Sequence, residues 1–207
     1  GTDDDLFLPG GVLMGSLDPK PVDTARITED VTRAWYEQGD VSHPYDGKTR
    51  PIRGETDYNT DAKYSWMKAP RYDGKPAEVG PLSRVLVAYA GGHKGIKPLV
   101  AHVLKKLDLE PGALYSTLGR TAARGIETAA VGHAMEGWIE RLKSNIASGN
   151  KATYQSWTMP DKGRGFGLND VPRGALGHWI EIQDKKIKNY QYVVPSTWNL
   201  GPRDEKG

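Results

Sequence analysis

The clearest periodicity of apolar and polar positions lies in "GALYSTLGRTAARGIETAAVGHAMEGWIERLKSNIA", residues 112–147. Leu114, Leu118, Ala122, Ile126 and Ala130 recur every four residues, and Trp138, Leu142 and Ile146 continue the row. That spacing predicts one long helix, stopped at Gly149-Asn150. Thirty-six helical residues span about 54 Å at about 1.5 Å each. A compact chain of this length has a radius of gyration of roughly 17 Å. The pattern therefore predicts further protein lying along the helix.

A period of two replaces this pattern over residues 171–199, "VPRGALGHWIEIQDKKIKNYQYVVPSTWN". Ile180, Ile182, Ile187, Tyr190, Tyr192, Val193 and Val194 are the β-branched and aromatic residues that strands favour. The polar "QDKK" between the two runs predicts a hairpin with Asp184-Lys185 as its two-residue loop. In that register Ile182 faces Ile187, Glu181 faces Lys188, Trp179 faces Tyr190 and Arg173 faces Ser196. Lys185 then has to adopt a turn conformation where glycine or asparagine is usual. Pro195, lacking an N–H, belongs at a ladder end.

Elsewhere the pattern is shorter. "PVDTARITEDVTRAWYE" (21–37) reads as a helix with proline in its opening turn. Residues 39–76 show neither period, and such a stretch is usually functional or packed against something. Helices are expected over 77–90 and 97–107, on either side of "GGHKG". The expected class is α+β, mainly helical: a long-helix bundle over about 21–150, with a β-hairpin near the C-terminal end over about 171–199. Residues 1–207 read as a single segment of a larger domain.

Composition narrows the function classes. Among 207 residues, 28 basic and 26 acidic side chains leave a net charge of +2. That is too balanced for an electrostatic nucleic-acid binder, so no nucleic acid is expected as a partner. No apolar run approaches the length of a membrane span, and "GTDDDLFLPGG" is an acidic, broken start unlike a signal peptide. Hydrophobic residues make up 37% of the chain, which is low for a self-sufficient core and suits a surface meant for a partner. Cysteine is absent, which removes disulfides, thiolate nucleophiles and every cysteine-based metal site.

Few side chains then remain as chemical candidates. The five histidines show no ligand spacing and read as structural or surface residues. "GRGFG" (163–167) lacks the setting and lysine of a phosphate loop. "TDDD" at the start reads as a solvated acidic loop. Arg120 and Arg124, with Glu127 three residues on, read as an intrahelical ion-pair ladder. Arg173 and Ser196 differ in kind. Taken singly each reads as structural, but brought together by the hairpin they place a guanidinium fork beside a hydroxyl. Pro172 and Pro195 stiffen the two approaches. Such a pair suits an anionic or strongly accepting group.

Several blocks in order, "LFLPGGV", "HPYDGKTRP", "YSWMKAPRYDGKPAEVGPLSRVLVAY", "STLGRTAAR", "VPRGALGHW" and "YQYVVPSTWNLGPRD", resemble the large subunit of nickel–iron hydrogenases. The flavour is that of the periplasmic or membrane-attached uptake type. The resemblance implies a nickel and an iron bridged by cysteine sulfurs, the iron also carrying carbon monoxide and cyanide. Arg173 matches the family's arginine over the metals, near the cyanides, proposed to help split dihydrogen as a base. Ser196 matches the serine whose hydroxyl and amide hydrogen-bond a cyanide, and Pro172 and Pro195 flank the same pocket. The Tyr192 carbonyl matches a contributor to a magnesium-type site, although cysteine or an aliphatic residue is commoner there.

The resemblance further implies H₂ as substrate, a small-subunit partner carrying iron–sulfur clusters, and a periplasmic or membrane-attached location facing the periplasm. The family's two CxxC motifs are missing, so the remaining portions of the large subunit are expected to supply the metal ligands. The sequence reads as an internal section of such a subunit. Two other readings stay open: a metal-free scaffold or electron-transfer subunit related to hydrogenase large subunits, and one piece of a split large subunit.

Overall fold

The computed structural model describes residues 6–37, 39–54 and 56–203; the acidic "TDDD" lies outside them. The chain divides into two compact units, one of residues 1–21 and 81–159, the other of residues 22–80 and 160–207.

The first unit is a helical group. α1 (Pro81–Ala90), α2 (Ile96–Leu107) and α3 (Thr117–Ala147) pack around Leu82, Val85, Leu86, Ile96, Val100, Leu104, Leu114, Ala123, Ile126 and Ala130. Ser116 caps α3 by accepting from the Gly119 N–H at 3.0 Å, as an N-cap serine should. A one-turn 3-10 helix, Pro111–Leu114, precedes it. The single helix expected over 112–147 is therefore broken at 115–116, and α3 spans about 46 Å at about 1.5 Å per residue.

The buried row of α3 keeps Ile126 and Ala130 from the expected one and departs from it before them. Gly119, Ala123, Ile126 and Ala130 face inward, whereas Leu118 is 81% exposed. Small side chains win the inward positions because α1 packs closely there. Across that contact Arg84 donates to both Glu127 oxygens, at 2.6 and 2.9 Å. Glu127 is thus engaged between helices, beyond the intrahelical ladder that its spacing suggests. Both side chains are largely buried, so stranding either one costs about 3 kcal/mol. Farther along α3, Met135, Ile139, Leu142 and Ile146 are exposed, while Trp138 packs edge-on against Phe7 at 5.3 Å.

The second unit holds two three-stranded antiparallel sheets. β1 (Ile27–Asp30) lies between β2 (Val41–Ser42) and β3 (Ala69–Tyr72). This overturns the helix expected over 21–37. Asp23 accepts from the Ala25 N–H and caps only a 3-10 turn, Thr24–Arg26. β-Branched Ile27, Thr28, Val31 and Thr32 then disfavour helix, and β3 offers a complete ladder from Ile27↔Tyr72 to Asp30↔Ala69. The irregular stretch after β2 is tied down by its own polar contacts. Lys63 Nζ reaches the carbonyls of Ala34 at 2.6 Å, Tyr36 at 3.3 Å and Val31 at 3.4 Å.

The other sheet runs β4 (Lys162–Val171), β5 (Gly174–Gln183), β6 (Lys186–Val193), and the short α4 (Pro195–Leu200) follows it. β5 and β6 are the expected hairpin, with Asp184 (φ 54°) and Lys185 (φ 57°) both left-handed, as a type I′ loop requires. Gln183↔Lys186 and Ile182↔Ile187 keep the expected register. A bulge then shifts it by one, so Trp179 faces Gln191 instead of Tyr190. Glu181 still meets Lys188 at 2.9 Å.

β4 is a strand that the sequence hides. Gly163, Gly165 and Gly167 read as breakers, yet β4 pairs with β5 at ten consecutive positions. With 34% helix and 23% strand, the α+β class holds, and "mainly helical" overstates the helical share.

Candidate functional site

The added strand changes where Arg173 sits. Val171 pairs with Gly174, so Pro172-Arg173 is the two-residue turn between β4 and β5. Arg173 and Ser196 are not ladder partners, because the β5–β6 ladder ends at Gly177↔Val193. Ser196 lies instead in the first turn of α4, behind Pro195, whose missing N–H is harmless there.

The turn and α4 are joined differently. Asn199 of α4 accepts from the Val79 N–H at 3.0 Å and donates through Nδ2 to Val79 O at 2.9 Å and to Arg173 O at 3.4 Å. Backbone meets backbone at the same place. A Cβ on Gly174 would stand 2.6 Å from Gly80 N, and one on Gly80 would stand 2.9 Å from Arg173 O. Both glycines have positive φ, 133° and 125°, a conformation that side chains resist.

Arg173 and Pro172 are exposed, Ser196 is half-buried and Pro195 is buried. Among the described residues neither the Arg173 guanidinium nor Ser196 Oγ has a hydrogen-bond partner. Thr197, by contrast, bonds back to Val194 O through both its N–H and its hydroxyl. Both side chains are thus uncommitted among the described residues, on backbone that Asn199 connects.

Tyr192 finds its room on the outer face of the sheet. Its ring stands with His178 and Tyr190, at 6.2 and 6.4 Å, and is 59% exposed. The inner face carries Gln191, which accepts from Thr49 Oγ1 at 3.0 Å and from Lys68 Nζ at 2.8 Å. Lys68 also lies 3.4 Å from the buried Glu29. Burial pushes the Glu29 carboxyl up, and Lys68 pulls it back down. This network pins β6 to the first sheet and thereby fixes the backbone at Tyr192. Among the described residues no group of three or more His, Cys, Asp or Glu is arranged to hold a metal ion.

The sequence pointed to Arg173 and Ser196 as candidates but not to Asn199, Gly80 or Gly174, which hold the turn. The signal for Gly174 was its place directly after a Pro-Arg pair, where a tight strand turn calls for positive φ. Nothing local distinguished Asn199, whose partners lie far away in sequence.

The family model for nickel-dependent hydrogenase matches residues 1–207. The uptake hydrogenase large subunit of Rhodobacter capsulatus is 39% identical, and that of Rhizobium leguminosarum bv. viciae 44% identical, each over 98% of this chain. The hydrogenase-1 large chain of Escherichia coli is 38% identical over 98% of this chain. In all three the match takes in 38% of the relative's own length. Among solved structures, a reduced, active form of the Ni-Fe-Se hydrogenase from Desulfomicrobium baculatum superposes with a TM-score of 0.78 at 32% identity. That match covers all of this chain and 42% of the other. With the motif blocks matched in order and the solved fold shared along the whole length, the chain belongs to the nickel-dependent hydrogenase family, on the large-subunit side.

Proposed function

We propose that this chain is one segment of the catalytic large subunit of a nickel–iron hydrogenase, and that the complete protein catalyses H₂ ⇌ 2H⁺ + 2e⁻. The observation that carries the proposal is the pair of uncommitted donors, Arg173 and Ser196, on backbone joined through Asn199. Cyanide and carbon monoxide are compact acceptors, and in a pocket of low dielectric they need such donors.

The fit is specific to that layer of the site. Arg173 and Ser196 suit the diatomic ligands on iron. A cysteine-free chain offers nothing to the metals themselves, whose thiolates come from other portions of the subunit. When bound, the bimetallic centre supplies the Lewis acidity and redox capacity at which dihydrogen is cleaved.

Ser196 Oγ would donate to one cyanide, while the Arg173 fork would bring positive charge and N–H donors to the centre. The proton would be received by Arg173 or by a cysteine thiolate from another portion of the subunit. Pro172 and Pro195 restrict the backbone on which both donors stand. The Tyr192 carbonyl, held by the Gln191–Lys68 network beneath it, would contribute to a magnesium-type site. Electrons leave through the iron–sulfur clusters of a small-subunit partner. We place the enzyme in the periplasm or attached to the membrane on that side.

Ser196→Ala in the complete enzyme tests the placement. One donor to a buried acceptor is lost, at about 1–3 kcal/mol, so assembly is expected to survive while the infrared cyanide stretches shift. Unmoved bands would remove Ser196 from the site.

A further inference from the structure

Asn199 uses every polar position of its side chain. Oδ1 accepts from the Val79 N–H, and the two hydrogens of Nδ2 go to Val79 O and Arg173 O. Both N–H donors of the carboxamide and its acceptor oxygen are thus engaged by backbone. The two bonds to Val79 fix its plane, and the fixed plane aims the remaining hydrogen at the Arg173 carbonyl. α4, which carries Ser196, is thereby tied to the turn that carries Arg173.

We propose that Asn199 is a positioning residue for Arg173, setting where the guanidinium stands relative to Ser196. The inference rests on the hydrogenase reading above. Among the described residues the Arg173 side chain has no hydrogen-bond partner of its own, so what this chain contributes to its placement comes through its backbone. Among the ties on that backbone are the φ of Pro172, the contact of Gly174 with Gly80, and Asn199. The first two act on the turn alone. Asn199 is the side chain that refers the turn to α4.

No close relative of asparagine replaces it. Aspartate keeps the acceptor for the Val79 N–H but turns an anionic oxygen toward two carbonyls. Glutamine, one methylene longer, displaces both strands of the contact. Alanine removes the tie without adding a charge.

The test uses the complete, metal-loaded enzyme with its small subunit. Asn199→Ala, Asn199→Asp and Arg173→Lys are prepared singly, and Asn199→Ala is also combined with Arg173→Lys. For Asn199→Ala the expected result is retained nickel, altered cyanide stretches and at least about a tenfold loss of turnover per nickel, since a reacting group displaced by 1 Å can lose about 10²-fold. Asn199→Asp is expected to lose more. In the Arg173→Lys background Asn199→Ala is expected to cost little further, because residues acting through one another are not additive. A purely structural Asn199 gives the same fractional loss in both backgrounds.

Additive losses, or Asn199→Ala turnover equal to wild type beside an impaired Arg173→Lys, would overturn the positioning role and leave the hydrogenase reading standing. Failure of both Asn199 variants to load nickel would also overturn it, since the residue would then serve folding as a whole. Full turnover in every variant, Arg173→Lys included, would remove Arg173 from the site and the positioning role with it; a wild-type protein without nickel and without hydrogen oxidation would remove the reading beneath it.

Discussion

Hydrogen oxidation per bound nickel is expected to fall by at least about 10²-fold when Arg173 is replaced by lysine in the complete enzyme. Charge is conserved, so electrostatic stabilisation of the cyanides and assembly of the metal centre should largely persist. Geometry is not conserved. Arginine presents a rigid planar fork, lysine a flexible point charge on a four-carbon stem. The turn itself should not notice the change, because its ties run through backbone: Asn199 donates to Arg173 O, and Gly80 packs against that same carbonyl. Nickel content and infrared bands are therefore expected to stay close to wild type while turnover collapses. If Arg173 merely pinned the turn, the loss would appear in assembly and activity per nickel would be nearly normal. Activity within about threefold of wild type, under about 0.7 kcal/mol of barrier, removes Arg173 from the catalytic list.

Gly174→Val is expected to have the largest effect on folding. At φ 133° a β-branched side chain is strained, and the added Cβ meets Gly80 N at 2.6 Å, Val79 Cγ2 at 2.6 Å and the Val79 carbonyl carbon at 2.8 Å. Two of those atoms are backbone and cannot swing aside. Backbone strain and overpacking together come to about 4 kcal/mol or more, comparable to much of a domain's net stability. The complete subunit should accumulate poorly and load little nickel. Gly74→Ala is the matching control: its φ is also positive, at 70°, but nothing lies within 4 Å of the new Cβ, so only about 1 kcal/mol is at stake. Thermal unfolding of the two variants side by side checks this. A wild-type transition in Gly174→Val would mean that residues 79–80 do not cross the turn.

What the sequence carried plainly was local. The helices around Val85 and Val100, and the Asp184-Lys185 loop, were readable because neighbours a few residues apart decide them. Non-local partners decided the rest. Ile27–Asp30 became a strand because Ala69–Tyr72 lies beside it, and the polar residues of "TARITED" gave no hint of that partner. β4 was hidden by Gly163, Gly165 and Gly167, whose missing side chains weaken a strand's signature without preventing its ladder. The bulge between Glu181 and Ile182 moved every later pair by one, since register has no tolerance for an extra residue. Arg173 and Ser196 were named from motif likeness and a hairpin register that does not reach them. They are joined instead through Asn199 to Val79 and Arg173, a contact spanning 120 residues of sequence on one side and 26 on the other.

The account stands most directly on metal analysis joined to infrared spectroscopy of the natural protein that contains this chain, purified intact. It predicts stoichiometric nickel and iron, together with carbon monoxide and cyanide stretching bands in the same preparation. A folded, intact protein free of nickel and without those bands would contradict it.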